Sequence, residues 1–218
     1  MKNMAFNFTQ LAKYDDAFFR FLELRKRFFV DQLEWDIPHD DAMEMDQYDN
    51  PTAWYSLVEY NGEIVGGART MPTNARWGSH GCMLTDAING KLVDIPDTVL
   101  SDAVSEPSIW ECTRLVISDD LDTQVERAQC LYLIVSGLVE MAASQQAQHL
   151  ISLSPLALTR ALRQLGFGAK RIGAPYLNEG DGRRYAVLTM PAVPSSKSQA
   201  VVIPASPKPA EERQLALS

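Results

Sequence analysis

The segment Ile109–Ile117, IWECTRLVI, constrains the fold of this 218-residue chain more than any other. It is apolar almost throughout, which is typical of a strand buried on both faces. It nevertheless contains Glu111 and Arg114, and charged side chains are rarely buried unless they are paired. The sequence therefore predicts a central strand that carries either a structural ion pair or a functional site.

Alternating strands and helices are predicted around this strand. The remaining predictions are a helix over 14–35, a hairpin over 53–70 around Asn61-Gly62, irregular structure over 71–108, a helix ending near Gln146, a strand over 149–154, a helix over 155–165 closed by Gly166, and a strand over 184–190. This order favours an α/β or α+β sandwich with a mixed central sheet. Residues 1–190 are predicted to form one domain, and 191–218, with five prolines and five serines, a flexible tail.

Composition excludes several classes of function. The net charge of −8 argues against nucleic-acid binding, which needs a basic face. Three cysteines fit a reducing cytoplasm better than a disulfide framework, so we expect a cytoplasmic protein. No apolar run approaches the ~20 residues of a membrane span, and the N-terminus shows no secretory signal. The three histidines are scattered, and we predict no metal site.

The charge is unevenly distributed along the chain. Residues 28–68 contain ten acidic side chains and no lysine or arginine. Residues 160–184 contain six basic and two acidic side chains. The two segments either form solvated surfaces or face two differently charged partners.

Two polar clusters precede the central strand. Arg25, Phe29 and Trp35 lie in LRKRFFVDQLEWDI, which alone would be read as an amphipathic helix with aromatic residues in the core. Asp46 and Asp49 lie three apart in MEMDQYDN, where they either cap a turn or share a bound cation, because two adjacent carboxylates repel each other.

Taken in order, these segments resemble the acyl-homoserine-lactone synthase family of bacterial quorum sensing. The resemblance rests on LRKRFFVDQLEWD, MEMDQYDN, GGARTMPT with Arg69, ML at 83–84 and ECTR at 111–114. It implies a GNAT-like acyltransferase that joins S-adenosylmethionine to an acyl thioester and releases methylthioadenosine. S-adenosylmethionine would be a co-substrate, and no cofactor is expected.

The resemblance also implies roles for the matched residues. The S-adenosylmethionine site would comprise Arg25, Phe29, Trp35, Asp46 and Asp49, and the catalytic set Glu111, Arg114 and Arg69. Glu111 would be the base that deprotonates the amine, directly or through a water. Glu111 and Arg114 would point to opposite faces of a regular strand, so their joint action requires a β-bulge between 111 and 114.

The acyl donor is predicted from charge and from apolar walls. The segment after the central strand, SDDLDTQ, has acids and no glycine, which disfavours the pyrophosphate of coenzyme A. Acyl-carrier protein is therefore favoured over acyl-CoA, and it would dock on a basic set comprising Arg160, Arg163, Lys170, Arg171, Arg183 and Arg184. The acyl pocket would lie between the helix at 130–143 and the strand at 149–154, with Thr113, Ser152 and Ser154 as polar contacts.

Two alternatives stay open at this stage. One is a GNAT-type N-acyltransferase that acts on another amine. The other is a silent paralogue that binds S-adenosylmethionine without turnover. Separately, Thr113, Ser152 and Ser154 are either recognition residues of the acyl pocket or ordinary strand residues.

Overall fold

The computed structural model of the protein describes residues 1–193. Its elements, in chain order, are β1 (Lys2–Asn7), a 3-10 helix (Phe8–Lys13), α1 (Ala17–Arg25), a π-helix (Lys26–Gln32), β2 (Trp54–Tyr60), β3 (Glu63–Pro72), α2 (Met83–Ile88), a 3-10 helix (Asp97–Val99), β4 (Ile109–Ile117), α3 (Gln124–Ser144), β5 (His149–Pro155), α4 (Leu156–Gln164), β6 (Lys170–Arg171), β7 (Tyr176–Leu177) and β8 (Arg184–Pro191). The predicted hairpin, central strand, long helix and later elements are confirmed.

The strands form one mixed sheet with helices on both faces. The described strands follow the order β1-β2-β3-β4-β5-β8-β6, and β7 also pairs with β8. Only β4 and β5 run parallel among these pairs. We call the face covered by α1 and α2 the front and the face covered by α3 and α4 the rear, and each face has its own apolar core.

Local sequence signals explain the confirmed elements. Asn61 and Gly62 both have positive φ, as the tight turn of a two-residue hairpin requires. At the start of α3, the Thr123 hydroxyl accepts a hydrogen bond from the Glu126 backbone N–H, while the Glu126 carboxylate accepts one from the Thr123 N–H. Gly166 follows α4 with φ +92° and ends it.

The structure corrects three expectations. The strand β1 and the short helix α2 were not predicted, and α2 lies within the segment expected to be irregular. The helix predicted over 14–35 changes to π geometry at Lys26, with Leu33 N–H donating to the Phe28 carbonyl. Two residues assigned to the tail belong to the folded domain instead, because Pro191 pairs with His149 and Ala192 is buried. The rest of the predicted tail, 194–218, lies outside the described residues.

A split between two central strands places the functional site. Strands β4 and β5 pair only through Ile109–His149, Trp110–Leu150 and Glu111–Ile151. Both strands continue beyond these pairs without pairing to each other, so the sheet opens between Thr113 on one side and Ser152 on the other.

Candidate active site

A cavity of about 1250 Å³ passes through this opening in the sheet. Its walls include Phe29 and Met83 of the front core and Leu138 and Leu150 of the rear core. Ligand pockets usually measure ~300–1,000 Å³, so this volume can hold more than one small ligand. The cavity therefore joins a chamber on the front face to a chamber on the rear face.

The predicted β-bulge lies where the cavity crosses the sheet. Gly67 pairs with Val116 and Arg69 pairs with Thr113, which leaves one extra residue in β4. Arg114 adopts φ +56°, a left-handed conformation that is uncommon outside glycine. The bulge turns Arg114 to the front, the face that Glu111 and Thr113 also share, because strand side chains alternate. The bulge is confirmed, and the joint action of Glu111 and Arg114 stays a prediction.

Three arginines and three carboxylates form a buried ion network behind the front chamber. Arg25 binds Glu44 through Nε at 2.6 Å and both oxygens of Asp49 at 2.9 Å. Arg69 binds Asp46 with two nitrogens and reaches Asp49 Oδ1 at 2.9 Å. With Arg114, the network contains three positive and three negative charges.

Arg114 connects the network to the cavity. Its Nε lies 3.2 Å from both Glu44 oxygens, and its Nη2 lies 2.8 Å from Asp46 Oδ2. Its guanidinium also lies over the Phe29 ring, 5.5 Å from the centroid. Arg114 and Asp46 line the cavity, so they are the members of the network that a ligand can touch.

The two aspartates of this network, Asp46 and Asp49, are held in the ionised form. Burial opposes ionisation, but the Arg69 guanidinium, followed by Arg114 for Asp46 and Arg25 for Asp49, lowers the pKa of both aspartates. The pKa of Arg25 and Arg69 is raised, because the attraction of the carboxylates exceeds the cost of burial. The cation held between Asp46 and Asp49 in this structure is thus the Arg69 guanidinium.

The structure divides the predicted S-adenosylmethionine residues into two groups. Phe29, Trp35 and Asp46 line the cavity. Arg25 and Asp49 do not, and both Asp49 oxygens are bound by arginines, with Oδ1 also accepting the Tyr55 hydroxyl at 2.9 Å. They therefore support the chamber wall from behind.

An aromatic wall adjoins the network in the front chamber. The rings of Phe29 and Trp35 stack with centroids 5.0 Å apart and an interplanar angle of 28°. The Trp35 indole N–H donates to Asp181 Oδ2 at 3.1 Å, and Asp181 is 146 residues away in the chain. A cation placed against this wall would meet a π-face.

Glu111 is fully buried beside the first turn of α2. Its two oxygens accept the backbone N–H groups of Met83 and Leu84 at 2.7 and 2.8 Å. Burial raises its pKa to about 7, although the two N–H donors favour the ionised form. A carboxyl group near neutrality suits proton transfer. Glu111 does not line the cavity, whereas Met83, which covers it, does.

The rear chamber is lined mainly by aliphatic side chains. Of the predicted acyl-pocket positions, Ser152 and Ser154 share the rear face of β5 with Leu150, whereas Thr113 lines the cavity from the front face of β4. The Ser154 hydroxyl donates to Ser152 Oγ at 3.0 Å, and Thr113 Oγ1 accepts from Arg69 Nε at 3.1 Å. The predicted helix and strand supply aliphatic lining, and α4 adds more, with Val135, Leu138, Leu150, Leu158, Leu162 and Met190 among the wall residues.

Comparison with known proteins gives the family of this fold and site. A family model described as autoinducer synthase matches residues 7–200. The chain belongs to the autoinducer synthase family. An acyl-homoserine-lactone synthase from Acinetobacter nosocomialis is 30% identical over 169 residues, covering 74% of this chain and 85% of the relative.

Solved structures agree with this assignment. TofI, in a ternary complex with an inhibitor and MTA, is 27% identical with a TM-score of 0.68, covering 90% of this chain and 95% of TofI. BjaI, a CoA-dependent acyl-homoserine lactone synthase with SAM and isopentyl-CoA, is 20% identical with a TM-score of 0.68, covering 87% of this chain and 82% of BjaI. The predicted family, GNAT-like fold and acyltransferase class are confirmed.

Sequence reasoning missed several residues at the site of this autoinducer synthase. Glu44 is fully buried and bridges Arg25 and Arg114. The only sequence signal for a role of Glu44 was its position in the acidic segment. Asp181 and Tyr48 were also missed, because their partners, such as Trp35 and the buried Asp86, are distant in the chain.

The predicted docking residues lie in the last part of the described fold, from α4 onward. All six basic side chains are exposed, and Arg183 also lines the cavity. Arg163 Nε donates a hydrogen bond to the Ala169 carbonyl at 2.7 Å, which restrains the orientation of the Arg163 side chain. The six belong to α4, to β6, to the turn before β8 and to the first position of β8, namely Arg160, Arg163, Lys170, Arg171, Arg183 and Arg184.

Residues 1–193 lack two kinds of feature. No group of three or more histidine, cysteine, aspartate or glutamate side chains is arranged to hold a metal ion there. None of the helices in that part is both long and apolar enough to cross a membrane. The expectations of no metal, no cofactor and a cytoplasmic location stay predictions.

Proposed function

We propose that the chain makes an acyl-homoserine lactone from S-adenosylmethionine and an acyl group carried on acyl-carrier protein. The main support for this proposal is the cavity through the sheet, which has charged and aromatic walls at the front and aliphatic walls at the rear. S-adenosylmethionine is compact and doubly cationic at its sulfonium and ammonium, whereas an acyl chain is apolar. The two chambers match these two chemistries and meet at the β-bulge.

The front chamber would hold S-adenosylmethionine by charge and by π-faces. Asp46 offers a carboxylate edge to the ammonium, and Phe29 and Trp35 offer their rings to the sulfonium. Arg114 would bind the substrate carboxylate, since its guanidinium reaches the cavity wall. Arg25, Asp49 and Arg69 would act as positioning residues that fix Asp46 and Arg114 from behind.

The reaction would proceed in two bond exchanges. The amine nitrogen, whose pKa is roughly 8 in water, loses a proton to Glu111 and attacks the thioester carbon. The C–N bond forms, the C–S bond breaks, and the thiol leaves with a proton. The methionine carboxylate then attacks the carbon next to the sulfonium, which closes the lactone and expels methylthioadenosine as a neutral thioether.

Glu111 would receive the proton through one water. Its two oxygens already accept the N–H groups of Met83 and Leu84, so direct contact with the amine would require α2 to move. A carboxylate retains acceptor sites beyond these two hydrogen bonds. Backbone N–H groups at the split edge of the sheet would stabilise the oxyanion.

The charge around α3 supports a carrier-protein donor. The N–H groups at the start of α3 face the Glu126 carboxylate and the Thr123 hydroxyl, and Asp119, Asp120 and Asp122 precede them. A pyrophosphate would meet like charge here. The exposed basic set on α4, β6 and β8 suits an acidic carrier. Acyl-CoA is the second candidate donor, because the similar fold of BjaI is described as CoA-dependent.

One experiment tests both substrates. The protein is incubated with S-adenosylmethionine and the same acyl group on carrier protein or on coenzyme A, and methylthioadenosine and lactone are measured by mass spectrometry. We expect both products, with higher kcat/KM for the carrier donor. A different acylated amine would support the N-acyltransferase alternative, and S-adenosylmethionine binding without product would support the silent paralogue.

A pair of charge reversals separates the two donors. Arg160→Glu with Arg171→Glu should raise KM for the carrier donor about tenfold while leaving KM for acyl-CoA close to wild type, because steering depends on surface charge. Lys13→Glu, an exposed change far from α4, is the matched control. Equal effects on both donors would contradict docking at the basic set.

A further inference from the structure

Asp181 makes a bridge across the mouth of the front chamber. It lies between β7 and β8, and its Oδ2 accepts two hydrogen bonds, from the Trp35 indole at 3.1 Å and from the Tyr185 hydroxyl at 2.6 Å. Trp35 follows the π-helix near the start of the chain. One carboxylate oxygen therefore joins the aromatic wall to the last strand of the sheet.

The loop that carries Asp181 orients its carboxylate independently of Trp35. Asp181 Oδ1 accepts the Arg183 backbone N–H at 3.0 Å. The Asn178 N–H donates to the Arg183 carbonyl at 2.8 Å, and Gly182, with φ +66°, closes the turn by donating to the Asn178 carbonyl at 2.9 Å. Because the turn fixes the carboxylate, Asp181 determines the orientation of the indole rather than following it.

The indole has few other constraints. Trp35 is half-buried, its ring stacks on Phe29, and it lies 6.2 Å from the Tyr185 ring. Stacking fixes the plane of the indole but allows two orientations related by a half-turn about the Cβ–Cγ bond. The hydrogen bond to Asp181 supplies the missing constraint, so it sets which part of the ring faces the cavity.

The same hydrogen bond changes the electrostatics of the wall. A carboxylate that accepts an indole N–H polarises the ring and increases the electron density of its π-face, because hydrogen-bonded groups polarise one another. A more negative π-face attracts a cation more strongly. A neutral ligand of the same shape gains almost nothing from this effect.

We propose that Asp181 is a positioning residue that orients Trp35 and tunes its ring to prefer the cationic sulfonium of S-adenosylmethionine over the neutral thioether of methylthioadenosine. The inference rests on the proposed function, since it requires S-adenosylmethionine at the aromatic wall. It gives the enzyme a means of releasing its product, because methylthioadenosine has lost the charge that Trp35 binds.

The test compares a charged and a neutral ligand in the same variants. Dissociation constants for S-adenosylmethionine and methylthioadenosine are measured by calorimetry on wild type, Asp181→Asn, Trp35→Phe, the double variant and Asp102→Asn. Asp181→Asn should weaken S-adenosylmethionine about tenfold and methylthioadenosine less than about twofold. Asp102→Asn, the same substitution at an exposed residue, should change neither.

The remaining variants make the result specific to the hydrogen bond. Trp35→Phe removes the N–H donor, so adding Asp181→Asn to it should cause no further loss. Equal losses for both ligands in Asp181→Asn, or additive losses in the double variant, would overturn the inference. If Asp181→Asn fails to fold, Trp35→Phe keeps the inference testable. This variant must lose more affinity for S-adenosylmethionine than for methylthioadenosine, and equal losses would overturn the inference. Failure of wild type to bind S-adenosylmethionine would overturn the proposed function as well.

Discussion

At the front of the cavity, three arginines and three carboxylates bind one another, whereas the rear wall consists mainly of aliphatic side chains from α3, α4 and β5. The front network is directional, and each guanidinium fixes the position of at least two carboxylate oxygens. Among the described residues, most of the rear wall is aliphatic and has no directional partners. We infer that the front tolerates one substrate geometry, while the rear selects by volume.

The largest expected effect comes from removing one member of the front network. Arg25→Met leaves Glu44 and Asp49 buried with one arginine partner fewer each, and such a change costs about 3–5 kcal/mol of unfolding free energy. Urea denaturation measures the loss. Arg20→Met, at an exposed ion pair with Asp16, is the matched control and should leave the unfolding free energy close to wild type. A small loss in Arg25→Met would show that the network adapts and that the contrast with the rear is weaker than proposed.

A smaller effect concerns Glu111, whose burial raises its pKa from 4.5 to about 7. The folded state then binds more protons than the unfolded state between these values, so the contribution of Glu111 to stability is complete below pH 4.5 and is lost as pH rises through about 7. The loss amounts to about 3 kcal/mol. Unfolding free energies measured at several pH values, with Glu111→Gln subtracted, should show this slope. A difference that does not change with pH would contradict the raised pKa.

The turnover of Glu111→Gln should fall by ~100-fold or more if Glu111 is the base. The wild-type rate should increase with pH through about 7, as the carboxylate forms, and the variant should lack this limb. Stability and activity of the wild type thus change in opposite directions through one group. Unchanged methylthioadenosine binding controls for damage to the front chamber, and a near-normal rate would exclude the role.

Local signals made much of the sheet predictable. The turn Asn61-Gly62, the capping box at Thr123 and the apolar segment Ile109–Ile117 each specify structure within a few residues. Helix α2 was missed because its first turn depends on Glu111, 27 residues from the nearer partner Leu84. The β-bulge was predictable only because two charged residues had to share one face.

The sequence shows where charged residues are concentrated, but it does not show which of them pair with each other. The absence of basic residues over 28–68 correctly identified the acidic segment, but the sequence does not show that Arg69 lies between Asp46 and Asp49. Nor can it show that Asp181 reaches Trp35 from 146 residues away. Such pairings depend on the split between β4 and β5, which no local pattern encodes.

The smallest effect tests selection by volume at the rear. Ala169 is 1% exposed and lines the rear chamber, so Ala169→Leu would fill space that the end of a long acyl chain needs. One methylene in an apolar pocket changes specificity about tenfold or more. We expect kcat/KM for a dodecanoyl donor to fall about tenfold relative to a butanoyl donor, with KM for S-adenosylmethionine unchanged. Ala12→Leu, an exposed change of the same size, should alter neither ratio. Equal losses for both donors would show that the rear wall, like the front, responds to geometry rather than to volume.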